Sequence, residues 1–177
     1  MAQRLQAGQH LTPALVTDLS TLQAKAYARM GDRSGCHASM RRSEEMAGRI
    51  RLSEEPPETG YVQPGLVEVQ HADALRRLGD LASARSYAER SVAAAGESHM
   101  RGRVHRLATL ATILAGQGEA DAAAGIAGQM LDSATGMESC RVHDRVVAVR
   151  DAIAAVSDGA SARELSERVS DVIGVPM

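Results

Sequence analysis

In YARMGDRSGC, LRRLGDLASA and LAGQGEADAA a glycine is followed at once by an acidic residue. The pairs are Gly31–Asp32, Gly79–Asp80 and Gly118–Glu119, and each separates two stretches with helical spacing of apolar residues. A glycine suits the left-handed residue that ends a helix. Asp32 and Asp80 are then placed to cap the next helix or to face its dipole from the first turn, whereas Glu119 can do the second job but caps poorly. These steps predict three helix-turn-helix hairpins, over about 12–50, 64–95 and 98–135, in an all-α chain.

Apolar periodicity fills in the rest. Leu15, Leu19, Leu22 and Ala26 form a stripe spaced four, three and four on the first helix. Leu107, Leu110, Ala111 and Leu114 share a face on the first helix of the third hairpin. A longer stripe through Val142, Val146, Val149, Ile153 and Val156 predicts a capping helix over about 138–157. Leu165, Val169 and Val172 predict a short terminal helix over about 160–173, with Ser161 and Glu164 spaced as a capping box. Between the first two hairpins RLSEEPPETGYVQPG breaks any helix, and it reads as an ordered surface loop with Tyr61 tucked against the core. The run RRSEE from Arg41 reads as a solvated helix face.

Composition agrees with packed helices. The chain has 177 residues and reads as one domain over 1–177, long enough to bury a core without disulfides or metals. Apolar residues make up 44%, with no Phe, no Trp and three Tyr, so the core must come from Ala, Leu, Val, Ile and Met. Strand-rich domains draw on aromatic and β-branched residues, which are sparse here. Met30, Met40, Met46, Met100 and Met130 read as gap-fillers in an aromatic-poor core. A net charge of −2 without a basic tail argues against direct nucleic-acid binding. Cys36 and Cys140 are far apart and read as free thiols of a reducing cytoplasm. MAQRLQAGQHLTP carries no apolar signal segment, and no run approaches the roughly 18 apolar residues that span a bilayer. The expectation is a soluble cytoplasmic protein that does not engage membranes.

The hairpins also repeat. Gly31 to Gly79 is 48 residues and Gly79 to Gly118 is 39. RVHRLATLA from Arg103 and RVHDRVVAV from Arg141 begin alike, 38 residues apart. A period somewhat above 34 fits a helical-hairpin repeat with extra loop residues. Matched positions are Ala24, Tyr27, Cys36 and Met40 in the first hairpin, Ala72, Leu75, Ala84 and Ala88 in the second, and Ala111, Leu114, Ala123 and Ala127 in the third. Together with the Gly-acid steps, this pattern resembles degenerate tetratricopeptide repeats. It departs from them in lacking the usual aromatic early in each first helix and in carrying Cys36 for Ala. Over roughly 12–156, phrases such as HADALRRLGDLASARSYAERSVA are similar to the C-terminal repeat region of bacterial XRE-type helix-turn-helix regulators. In those regulators a DNA-binding domain comes first and the repeats sense or dock a partner. The first 11 residues leave no room for such a domain, so the chain reads as a repeat-only relative or the repeat part of a longer product.

The resemblance implies a right-handed superhelix of about eight antiparallel helices whose first-type helices line a concave groove. Its inward positions would be Thr21, Lys25, Ala28 and Arg29; Val69, Asp73, Arg76 and Arg77; His105, Ala108 and Thr112; and His143, Val146 and Arg150. Five cations, Lys25, Arg29, Arg76, Arg77 and Arg150, face one acid, Asp73, in that set. Such a groove would suit an acidic peptide or a terminal carboxylate; the alternative is a set of solvated arginines. Lys25 is expected beside Asp73 or Arg76 across the helix seam. The expected function is therefore non-enzymatic binding of a protein or peptide, with small-molecule sensing by a regulator as the alternative. No cofactor is expected. His105 and His143, with Cys140 nearby, make the one conceivable zinc site, but two matching surface residues on matching helices are the commoner case. No Gly-x-Ser-x-Gly and no phosphate-binding loop is present. Oligomeric state is open.

Overall fold

The computed structural model describes residues 11–94 and 100–173, with side chains described to residue 171. The expected hairpin limits at 95 and 98, His10, His99 and the Val172 side chain lie outside that range. Eight α-helices and no strand are found among the described residues: α1 (Pro13–Arg29), α2 (Arg33–Ala47), α3 (Leu66–Arg77), α4 (Leu81–Ala93), α5 (Met100–Gly116), α6 (Ala120–Ala134), α7 (Cys140–Ala154) and α8 (Ala160–Ile173). A single 3₁₀ turn, Pro57–Thr59, interrupts the long loop before α3.

The turns follow from local chemistry. Gly31, Gly79 and Gly118 all have positive φ, 74°, 79° and 81°. At Gly79 nothing lies within 4 Å of where a Cβ would stand, so the requirement for glycine is conformational rather than steric. Asp32 Oδ1 accepts from the Gly35 amide at 2.9 Å, and Asp80 Oδ1 accepts from the Ser83 amide at 3.1 Å. Glu119 occupies the same position before α6 without a side-chain cap. α1 starts with Thr12 Oγ1 accepting from the Leu15 amide and Pro13 in the first turn.

Within each hairpin the two helices pack on each other, and successive hairpins meet through α1 on α3, α4 on α5 and α5 on α7. α8 packs on both α6 and α7, so the last two helices form a fourth antiparallel pair joined by Ala155–Gly159. Helix α8 begins at Ala160, which puts Ser161 inside the helix rather than at its cap; Gly159 supplies the first carbonyl, to the Arg163 amide. Arginines lace the seams. Arg33 Nη2 donates to the Leu78 carbonyl at 2.5 Å, Arg85 Nη1 to Glu119 at 2.6 Å, and Arg168 Nη2 to Asp132 at 2.8 Å.

The small matched repeat positions are buried between the helices. Ala24, Ala72 and Ala111 are fully buried, as are Cys36, Ala84 and Ala123 on the second helices. Around them Leu75, Leu107, Ile113, Met130, Leu131 and Ile153 form the large side chains of the core. Helix α5 is its spine, with ten buried residues. Of the methionines expected to fill gaps, Met40 and Met130 are buried, but Met30 and Met100 are exposed.

Two expectations are corrected by this packing. The stripe Leu15, Leu19, Leu22 and Ala26 of α1 faces outward, and the helix buries Ala14, Val16, Thr17, Ser20, Thr21, Ala24 and Ala28 instead. Small side chains let α1 approach its neighbours closely, and Thr17 and Thr21 satisfy their hydroxyls on the carbonyls of Pro13 and Asp18. Tyr61 is half exposed rather than tucked into the core; its hydroxyl donates to Asp18 at 2.8 Å and ties the long loop to α1. Glu55 of the same loop accepts from the Ala14 amide at 3.0 Å, satisfying an N-terminal donor of α1. The loop ends at Gly65 with φ 83°, where a Cβ would stand 2.9 Å from the Ser91 carbonyl, so glycine is needed there for space as well as conformation.

Candidate functional site

Asp73, Arg76 and Arg77 are spaced three and four apart on α3, which brings all three to one face. Asp73 Oδ1 accepts from Arg76 Nη2 at 2.9 Å, and its Oδ2 lies 3.4 Å from Arg77 Nε. Lys25 reaches across from α1, its Nζ 3.7 Å from Asp73 Oδ2 and donating to Gln70 Oε1 at 2.8 Å. Lys25 therefore meets Asp73 at the seam its sequence register predicts. Burial on its own would raise the pKa of Asp73. The Arg76 hydrogen bond and the charges of Arg77, Lys25 and Arg76 outweigh it and hold the carboxyl below its usual value.

Opposite α3, helix α5 contributes Ala108, Thr109 and Thr112, and helix α7 contributes Arg145, Ala148 and Val149. With Asp73 and Arg76 they line a cavity of about 240 Å³. Arg145 is exposed as a whole residue; its crowded surroundings lower its pKa and the Asp73 charge opposes that fall. Lys25, Arg76 and Arg77 pair with Asp73 and Arg145 lines the same cavity, which leaves a positive surplus there. The hydroxyls of Thr109 and Thr112 donate to the His105 and Ala108 carbonyls, at 3.0 and 2.8 Å. His105 adds no charge at neutral pH: burial first, then Arg145 and Lys25, lower its pKa to about 4 against the opposing Asp73. Its Nδ1 is buried without a hydrogen-bond partner. This arrangement can hold an anion, since the guanidinium groups of Arg76 and Arg145 line the cavity and Lys25 and Arg77 flank it through Asp73.

The structure brings Lys25, Asp73, Arg76 and Arg77 together, with Thr112 in the cavity wall and His105 beside the cluster. It does not bring in the others. Arg29 is exposed and enters no ion pair among the described residues. His143 is exposed. Arg150 pairs with Asp151, at 2.7 and 2.9 Å, and lines a separate groove between α7 and α8. Thr21, Ala28, Val69 and Val146, which the resemblance implies face a groove, are buried against neighbouring helices instead. The α7 side chain at the cavity is Arg145. The RVH match directed the reading to His143, two residues earlier, although Arg145 directly precedes the buried Val146 and so flanks the apolar stripe.

A second polar cluster lies between α2, α3 and α4. Ser43 Oγ and His71 Nε2 are 2.8 Å apart, His71 Nδ1 is 3.4 Å from Glu44 Oε1, and Tyr87 donates to Glu44 at 2.7 Å. The His71 ring stands edge-on to Tyr87 with centroids 5.2 Å apart, and Arg90 lies over the Tyr87 ring at 4.2 Å. Ser43 and His71 are fully buried, and the Ser43 hydroxyl also donates to the Met40 carbonyl at 2.7 Å. RRSEE is thus no uniformly solvated face: Ser43 continues a buried stripe from Cys36 and Met40 at spacings of four and three, a signal available in the sequence. Beside it, Glu44, Ala47, Ile50, Leu52, Val62, Pro64, Val67 and Glu68 line a mainly apolar groove of about 520 Å³.

Among the described residues no three of His, Cys, Asp and Glu come together as metal ligands. Cys36 is buried and Cys140 exposed, both as thiols; burial first, and then Asp32, raise the pKa of Cys36. No described helix is long and apolar enough to cross a membrane. Comparison with family models, curated proteins and solved structures finds no match to this chain.

Proposed function

We propose that this chain is a non-enzymatic, tetratricopeptide-like scaffold of regulatory type that docks an acidic peptide or terminal carboxylate at the cationic cluster around Asp73. The observation that carries the reading is the convergence of Lys25, Arg76 and Arg77 on one acid at the edge of a small cavity that Arg145 also lines. Packing of the first helices of successive hairpins, α1 on α3, α3 on α5 and α5 on α7, supports a superhelical stack with these residues on one surface. Binding rather than catalysis is favoured because the Ser43–His71–Glu44 cluster is sealed from solvent at Ser43 and His71, and the Ser43 hydroxyl donates to the Met40 carbonyl rather than to His71. In this reading the protein acts in the cytoplasm and contacts no nucleic acid itself.

The test is calorimetric titration with an oligoglutamate peptide. Wild type should bind, more weakly as salt rises. Reversing Arg76 and Arg77 to Glu should lower affinity at least about tenfold at low salt, because two attractions become repulsions, and helical content should stay unchanged. Equal affinities for wild type and double variant would exclude the cluster as the docking site.

A second reading, small-molecule sensing as part of a transcriptional regulator, is favoured by the groove between α2, the long loop and α3. Its apolar walls and the carboxylates of Glu44 and Glu68 suit an apolar ligand bearing a positive charge.

A further inference from the structure

Helix α1 wears its amphipathicity inside out. Its buried face is alanine and hydroxyls with one valine, Val16, while Leu19 is 43% exposed, Leu22 50% and Met30 77%, with the exposed Ala26 and the half-buried Leu15 on the same side. Single exposed leucines are ordinary; a contiguous stripe along four turns is an interaction surface.

The repeat itself shows what that face meets elsewhere in the molecule. Aligned through the Gly-acid steps, Leu19, Leu22, Ala26 and Met30 correspond to Val67, Gln70, Ala74 and Leu78 on α3, and to Arg106, Thr109, Ile113 and Gln117 on α5. Ala74 and Ile113 are fully buried, and Leu78, Arg106 and Thr109 nearly so, because in those hairpins this face lies against the hairpin before it. Among the described residues nothing covers it on α1.

We propose that a second copy of this chain covers it, the two α1 helices pairing antiparallel about a two-fold axis next to Leu22. The stripe is self-complementary in that register. Leu15 then faces Met30 of the partner subunit, Leu19 faces Ala26 of the partner subunit, and the two copies of Leu22 meet near the axis. Spacings of four, three and four are those of a helix-helix seam, and the small Ala26 lets the axes approach. Charge fits the same register. Asp18 and Arg29 are eleven residues apart, about 20° apart around the helix, so both lie on one flank of the stripe. A perpendicular two-fold sets each flank against its own copy, which brings Asp18 within reach of Arg29 of the partner subunit, twice over. Arg29 enters no ion pair among the described residues, and Asp18 spends only Oδ2 on Tyr61.

Sedimentation of the full-length chain over a range of concentrations tests this. Wild type should sediment as a dimer. Leu22→Glu should raise the dissociation constant at least tenfold without moving the thermal melt of a matched monomeric sample, because Leu22 carries no core. Arg29→Asp should weaken the dimer, and adding Asp18→Arg should restore it to within a few-fold of wild type. In a Cys140→Ser background, Leu22→Cys should give a covalent dimer on oxidation, as two-fold pairing demands. A wild type that stays monomeric overturns the proposal, as does a dimer indifferent to Leu22→Glu, or an Arg29→Asp dimer that Asp18→Arg does not rescue.

Discussion

His71 and Asp73 stand two residues apart on α3, on opposite sides of the helix, and they resolve the same problem in opposite ways. Each is a titratable group removed from water. His71 has one carboxylate within reach, Glu44 at 3.4 Å, which also accepts from Tyr87, while Arg90 nearby opposes protonation. Burial prevails there and its pKa falls to about 4. Asp73 has three cations in contact, and burial loses. Charge in this protein is therefore kept where opposite charges converge from several helices and is given up where a single partner is shared. One side of α3 becomes a neutral buried seam and the other a charged surface.

The largest effect should come from emptying the neutral side. His71→Ala removes a fully buried ring and leaves Ser43 without that partner, so it should cost about 3 kcal/mol in chemical denaturation. His71→Gln can still hydrogen-bond to Ser43 and should cost roughly half as much. Equal costs would mean that the ring acts only as volume.

The pH dependence separates the two sides. The unfolded His71 and His105 take up a proton below about pH 6.5, but in the folded state neither does so until about pH 4. The unfolded chain thus binds more protons in that window, and stability must fall as pH drops through it. The steepest slope per histidine is about 1.4 kcal/mol per pH unit. His71→Gln should remove one histidine's share. Asp73, its carboxyl held below the usual aspartate value by its cations, loses its contribution at more acid pH than the histidines do. Denaturation midpoints of wild type and His71→Gln from pH 7.5 to 4 would show this, and parallel curves would contradict it.

The smallest effect should be Asp73→Asn, at about 1 kcal/mol, because its ion pairs lie near the surface and are screened. That cost should shrink with added salt in melts of both proteins, while the His71→Ala cost should not.

How much of this was legible in the sequence depends on whether a signal was local. The Gly-acid steps mark turns because glycine at positive φ and an aspartate cap act over four residues, and the all-α character follows from them. Periodicity in α1 gave a stripe but not its partner. A helix with leucines on one side and alanines and threonines on the other can bury either, and close packing in the hairpin selected the small side. Arg145 was missed because equivalence of the two RVH segments was extended to side-chain direction, whereas the seam between α5 and α7 decides which side chain lines the cavity beside Asp73. Ser43 was missed because a hydroxyl between charges reads as solvated until its spacing from Met40 and Cys36 is counted.

The chain lacks tryptophan, and its three tyrosines, Tyr27, Tyr61 and Tyr87, all fall within its first half. The Tyr27 ring lies against Gly35 inside the first hairpin, Tyr61 joins the long loop to α1, and Tyr87 joins α4 to α2. The phenols of Tyr61 and Tyr87 donate to carboxylates, and unfolding breaks both hydrogen bonds. Ultraviolet emission from this protein is therefore a report on its first two hairpins, and helices α5 to α8 are optically silent in that channel. Circular dichroism at the peptide bands sees all eight helices. The two spectra divide the molecule at α4, so coincident transitions would mark one cooperative stack and separated ones a stack that opens in halves.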